Sequence, residues 1–149
     1  AHIINDADAA GYAEMRYGAA DVPGVILVLT LGTGIGSALI HDGRLVPNTE
    51  LGHLIMDGDS AERIASSGAK DKFGWSYEQW VVPLQRYLTH VELLFSPDLL
   101  VLGGGVSRNH EEFIPLLRTR APITPAHLRN KAGIIGAAIM AAEAEDIPR

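Results

Sequence analysis

The sequence predicts an α/β fold built on a mixed sheet, and three observations carry that expectation. Two apolar, β-branched runs, 25–31 and 35–41, are joined by "GTG" alone, so they read as an antiparallel hairpin. A third apolar run, Asp98 to Leu102, ends in Gly103-Gly104-Gly105, the sequence of a strand entering a tight turn. Between them, Trp80, Leu84, Leu88, Val91 and Phe95 recur every three or four residues, which marks one buried face of a long helix over Ser76 to Phe95.

The remaining elements follow in order. "AHII" reads as the end of a strand, and Asn5 to Ala19 as a helix with aspartates at its front and a stop near Gly18. Val22-Pro23-Gly24 is a turn, and His41-Asp42-Gly43-Arg44 carries the Asp-Gly signal of a tight hairpin. Ser60 to Ser67 reads as a short helix, and "SGAKDKFG" as a polar connection. Pro83 falls early in the long helix and is expected to kink it. After the second glycine turn, "NHEEFIPLLRTR" reads as a helix, and Gly133 to Glu145 as an Ala-rich one. Strands and helices alternate without an internal repeat or a linker.

Composition narrows the class. A chain of 149 residues, 47% hydrophobic, is long enough to bury one core. A net charge of −6 argues against nonspecific attraction to nucleic acid or to an anionic membrane, and no apolar run reaches the roughly 20 residues of a membrane helix. The expectation is a soluble, cytoplasmic protein. The absence of cysteine excludes disulfides and thiolate metal sites.

The glycine loop Gly32, Thr33, Gly34, Gly36 lies between two strands, whereas nucleotide loops of the Walker and dinucleotide types open a helix. Its amides and the Thr33 hydroxyl are placed to donate to phosphate from a β-turn, or else its glycines serve hairpin geometry alone. Gly103, Gly104 and Gly105 admit the same two readings, a phosphate approach or close strand packing. Asn5, Asp6 and Asp8 stand at a helix start, where such side chains cap free amides. A carboxylate at that corner is also placed to take a hydroxyl proton. "NTELGHL" sets Glu50 and His53 three apart, a pair that complements a polyhydroxylated ligand or is simply an exposed loop. Arg118, Arg120, Arg129 and Lys131 form a basic stretch, read either as solvated surface or as a track for a polyanionic donor.

Taken in order, "NDADAAGYAEMRYG", "LTLGTGIGSALIHDGRLVPNTELGH", "LLFSPDLLVLGGGVS" and "LRNKAGIIGAA" resemble the ROK family of sugar kinases and sugar-responsive repressors, in particular its polyphosphate-dependent glucokinase branch. The resemblance implies an actin-like, ribonuclease H-like sugar-kinase lobe. It implies phosphoryl transfer from polyphosphate or ATP to the 6-hydroxyl of glucose, with Asp6 as catalytic base and Asn5, Glu50 and His53 as sugar ligands. Gly32, Thr33, Gly34 and Gly36 match the family's second phosphate loop, and Gly103 to Gly105 the loop near the nucleotide. A magnesium ion on the donor oxygens is expected. Many relatives bind zinc through a cysteine cluster after Glu-x-Gly-His; this chain has no cysteine, so no zinc is carried over. That also weighs against the alternative, the sugar-sensing domain of a repressor. Choice of donor and of glucose against mannose stays open.

The family's first phosphate loop, Asp-x-Gly-Gly-Thr, does not occur here, so residues 1–149 read as the C-terminal lobe of a two-lobed kinase without its N-terminal lobe. Ile134, Ile135, Ile139 and Met140 are expected to face that lobe, or to support a homodimer. The purified chain alone is expected to phosphorylate glucose barely or not at all in a coupled assay; robust turnover would contradict the lobe reading.

Overall fold

The computed structural model describes residues 5–127. The expected strand at 1–4, Arg129, Lys131, the Ala-rich helix and its apolar face at Ile134, Ile135, Ile139 and Met140 lie outside the described residues. The chain opens with α1 (Asp6–Tyr17), followed by the strands β1 (Val25–Leu31), β2 (Ile35–His41) and β3 (Arg44–Val46). A small hairpin, β4 (Ile55–Met56) and β5 (Asp59–Ser60), leads into α2 (Glu62–Ala65), α3 (Ser67–Phe73) and α4 (Tyr77–Phe95). Then come β6 (Leu99–Gly103), two 3-10 segments, Gly105–Glu112 and Ile114–Leu116, and β7 (Ile123–Pro125).

Among the described residues, five strands form one mixed sheet in the order β3-β2-β1-β6-β7. β1 pairs antiparallel with β2 and parallel with β6, and β6 pairs parallel with β7. Alternation along β1 explains its unbroken apolar sequence, because both faces are covered. Ile26 and Val28 face α1 in a cluster with Met15, Ala38, Ile40 and Val101. Leu27, Leu29 and Leu31 face the other way, toward Trp80, Leu84, Tyr87, Leu88 and Val91 of α4.

α1 buries small residues, Ala9, Ala10 and Ala13, so that its axis lies close to the sheet. Gly11 is the closest point, where an added Cβ would overlap the Ala38 Cβ. α4 begins with a capping box in which the Ser76 hydroxyl accepts from the Gln79 amide (3.2 Å) and the Gln79 side chain accepts from the Ser76 amide (2.9 Å). The Trp80 indole N–H donates to the Ala65 carbonyl (3.0 Å), fastening α2 to α4. The long helix runs through Pro83 to Phe95, as its apolar spacing predicts. No described helix is long and apolar enough to cross a membrane.

Two expectations are corrected. "SGAKDKFG" is not a connection but α3: the Ser66 hydroxyl accepts from the Ala69 amide (3.1 Å), and Gly74 in the left-handed region (φ 65°) closes the helix. Its polar sequence reflects exposure, since Ala69 is its only fully buried residue. The segment 109–120 is not an α-helix. Pro115 removes an amide and disfavours helical backbone at Ile114, and Asn109 breaks the first 3-10 segment with φ −103° and ψ 30°. Phe113 instead anchors the segment by packing on Trp80 (5.0 Å) and Tyr77 (6.0 Å).

Replacing Gly11 with Val forces helix and sheet apart, and is expected to lower the unfolding free energy of the chain by about 1–3 kcal/mol. A urea midpoint unchanged from that of the parent chain would contradict the close packing described.

Candidate active site

Topology gathers the polar elements at one edge of the sheet. β1 and β6 are parallel neighbours with Thr30 opposite Gly103, so the two glycine turns leave the sheet side by side. α1 precedes β1 and runs against it, which returns its first turn to the same edge. β3 runs back along β2, and the segment after it delivers Glu50 and His53 to that edge as well. In parallel strands this carboxyl end is where open α/β sheets hold ligands.

The start of α1 resolves the capping question. Asn5 is the N-cap: its Oδ1 accepts from the Asp8 amide at 2.8 Å. Asp6 occupies the first helical position with an exposed side chain and is not needed as a cap. Asp8 is 2% exposed, and its Oδ2 accepts from the Asn5 amide group (3.0 Å) and from the Asn48 backbone N–H (2.8 Å). The Asn5 Nδ2 also donates to Asn48 Oδ1 (3.3 Å). Helix start and Glu50 segment are therefore stitched together, with Asp6 beside the seam. Both Asn5 Nδ2 protons are engaged, leaving one Oδ1 lone pair for any ligand.

From Asn48 the segment is held to β2. The Thr49 hydroxyl lies 2.9 Å from the Ser37 hydroxyl, which in turn accepts from the Leu51 amide (3.1 Å). These bonds leave Glu50 and His53 exposed, with Oε2 and Nε2 3.7 Å apart across a single 3-10 turn. At that separation each side chain keeps its hydrogen-bonding capacity for a ligand.

The glycine loop is held by a residue that the sequence reading did not select. Glu62, the first residue of α2, accepts the Ile35 amide on Oε2 at 2.9 Å. Gly34 and Gly52 make room for it, since a Cβ on either would stand 2.6 or 2.7 Å from that oxygen. One carboxylate thus lies between the phosphate-type loop and the glycine of "ELGH". On the other side the Gly68 amide (2.8 Å) and the Ser67 hydroxyl (3.3 Å) donate to the Gly32 carbonyl. Gly32 donates to the Gly34 carbonyl (3.0 Å). The Thr33 and Gly34 amides and the Thr33 hydroxyl have no partner among the described residues.

Thr30 to Gly36, Glu62 and Gly104 line an open cleft of about 300 Å³. Gly104 combines φ +88° with a Cβ position that would overlap the Leu31 carbonyl, so close packing requires a glycine there. The spaces beside Gly32 and Gly105 are open, so the packing demand does not explain these two. Arg118 and Arg120 do not join the cleft. They precede β7, which runs parallel to β6, and so stand at the opposite edge, where the Arg120 guanidinium donates to the Glu92 carbonyl (3.3 Å). Strand direction thus keeps these two arginines out of the cleft lining.

Residues 1–72 match the model of the ROK family. Over 92% of its length the chain is 54% identical to the polyphosphate glucokinase of Mycobacterium leprae and 52% identical to that of Mycobacterium tuberculosis, covering 43% and 52% of those proteins. It superposes with a TM-score of 0.93 on the inorganic polyphosphate/ATP-glucomannokinase of Arthrobacter sp. strain KM, at 60% identity, covering 96% of this chain and 57% of that one. The chain spans about half the length of the curated relatives it matches. Its mixed sheet and hairpin loop are those of the actin-like ROK sugar-kinase fold.

Replacing Gly34 with Ala puts a Cβ 2.6 Å from the Glu62 Oε2, with no other group as near, and pushes the carboxylate off the Ile35 amide. Hydrogen exchange at Ile35 is expected to quicken by at least about tenfold, the equivalent of one lost buried hydrogen bond. Unchanged protection at Ile35 would show that Glu62 does not hold the loop.

Proposed function

We propose that this chain is the C-terminal lobe of a glucokinase that transfers a terminal phosphoryl group from polyphosphate or ATP to the 6-hydroxyl of glucose. The single observation that carries the reading is at the start of α1. Asn5 supplies the cap, so the exposed Asp6 carboxylate is left for another purpose, beside the edge where the glycine turns meet. The relatives' names supply the substrate class.

In this reading Asp6 accepts the proton of the 6-hydroxyl as its oxygen attacks the terminal phosphorus. The new O–P bond forms while the bridging P–O bond breaks, and the shortened polyphosphate or ADP leaves with the electron pair. Glu50 accepts from sugar hydroxyls, His53 donates to or accepts from them, and Asn5 accepts through its remaining lone pair. The Thr33 and Gly34 amides, the Thr33 hydroxyl and the turn at Gly103 to Gly105 stabilise the donor's charge. Catalysis of this kind is chiefly positioning and electrostatics.

Magnesium fits as an ion that arrives with the donor. No group of three or more ligating side chains gathers among the described residues, whereas Mg²⁺ in phosphoryl-transfer sites is held by phosphate oxygens, water and one or two carboxylates. Asp6, one of the exposed carboxylates at this edge with Glu50, would approach it, and the ion would neutralise charge on the donor oxygens. The proposal includes a cytoplasmic enzyme and a homodimer, the latter read out by light scattering of the full-length protein.

In the full-length protein that carries this chain, Asp6→Asn is expected to lower kcat by about 10²- to 10⁴-fold, the usual worth of a general base, with glucose affinity changed only slightly. Activity within a few-fold of the parent would remove Asp6 from the role.

A further inference from the structure

The hairpin of β4 and β5 has site residues at both feet. His53 immediately precedes Leu54, Glu62 immediately follows Ala61, and the Ala61 amide donates to the Leu54 carbonyl (2.7 Å) to close the base. Two strands of two residues cannot hold such an excursion in place by themselves. Ile55 at its outer side is 67% exposed, and its turn, Asp57-Gly58, adopts left-handed backbone at both positions (φ 57° and 81°). The tip is gripped from outside. Arg86 on α4 donates through Nη1 to Asp57 Oδ2 (2.7 Å) and through Nη2 to Asp57 Oδ1 (2.6 Å).

We propose that Arg86 is a positioning residue for the sugar side of the site: by holding Asp57 against α4 it fixes the hairpin, and with it the spacing of His53 and Glu62. The inference rests on the kinase reading given above. The grip is two-pronged and planar, the arrangement in which a guanidinium fixes geometry as well as charge. Its far anchor is rigid, because α4 is a 19-residue helix with a capping box and a fully buried face. The hydrogen-bonded pair holds the Asp57 carboxyl below its ordinary pKa and the Arg86 guanidinium above its own. The neighbouring charges, Asp59 on the hairpin and Arg63 on α2, form a separate contact at 3.3 Å and leave the Arg86 pair undivided.

The pair is exposed, so salt screens it. Glucose carries no charge. Screening by salt therefore acts on glucose binding through charged contacts within the protein, and the share carried by the Arg86 pair vanishes when that pair is removed.

The test measures glucose binding calorimetrically to the full-length protein that carries this chain, at low and high KCl, together with hydrogen exchange of Leu54 to Ala61. Arg86→Gln and Asp57→Asn are suitable variants, since Asn keeps the left-handed backbone that residue 57 adopts. Each is expected to weaken glucose binding about three- to fivefold at low salt, to speed exchange across the hairpin, and to show a smaller salt dependence than the parent. The double variant should be no worse than either single one, the mark of a broken pair. kcat at saturating glucose should fall by less than the affinity, because the base is untouched and the glycine loop, reached through Glu62, keeps its own bonds from Gly68 and Ser67. Arg86→Gln with parental affinity, exchange and salt response would overturn the inference. If the parent protein binds no glucose, the kinase reading fails on its own account. Hydrogen exchange in Arg86→Gln then decides alone whether Arg86 fixes the hairpin.

Discussion

The parallel pairing of β1 with β6 is the constraint on which the rest of the arrangement depends. Asp98 sets it at the strand entrances, its amide donating to the Val25 carbonyl (2.7 Å) and its carboxylate accepting from the Val25 amide (2.8 Å). Gly24 leaves room for that carboxylate, which a Cβ would overlap. Five residue pairs later the register ends with Thr30 beside Gly103, and both chains turn on glycine within reach of one cleft. A slip of one residue would reverse every side chain of β1 between two different cores. The cores and the cleft are therefore specified by the same register.

Two carboxylates, Asp8 buried and Glu62 half-buried, then tie separate segments to that edge. Asp8 joins the first turn of α1 to Asn48, and Glu62 joins α2 to the glycine loop and to Gly52. Asp8 Oδ1 has no hydrogen-bond partner among the described residues although it is buried, so the full benefit of that carboxylate comes through Oδ2. Tyr87 lies beneath the same region with its hydroxyl buried. Desolvation, followed by the nearby Glu62 charge, pushes its pKa far above the ordinary value, and it stays a neutral phenol.

Legibility in the sequence followed the range of the interactions. The hairpin strands, the buried face of α4 and the stop at Gly18 were readable because local periodicity and turn residues specify them. α3 was missed because its signals, Ser66 and Gly74, flank an exposed and polar segment without an apolar stripe. Glu62 was invisible for a different reason: its partner Ile35 is 27 residues away, and only the folded chain shows that Gly34 and Gly52 make space for one oxygen. The arginines at 118 and 120 misled because charge in sequence carries no direction, whereas the parallel strand that follows them places them at the far edge. Asp6 and Asn5 illustrate the middle case. Their spacing permitted either residue to cap, and the bond from the Asp8 amide to Asn5 decides between them.

The central claim is that Asp6, the Glu50 and His53 segment and the hairpin glycines form one ligand-binding edge. Amide chemical-shift mapping of residues 1–149 during titration with glucose tests it most directly. The account predicts perturbations concentrated at Asn5 to Asp8, at Asn48 to His53 and at Gly32 to Gly36. Saturable shifts centred instead on Arg118 to Ala121 at the opposite edge, with none at Asp6 or Glu50, would contradict it.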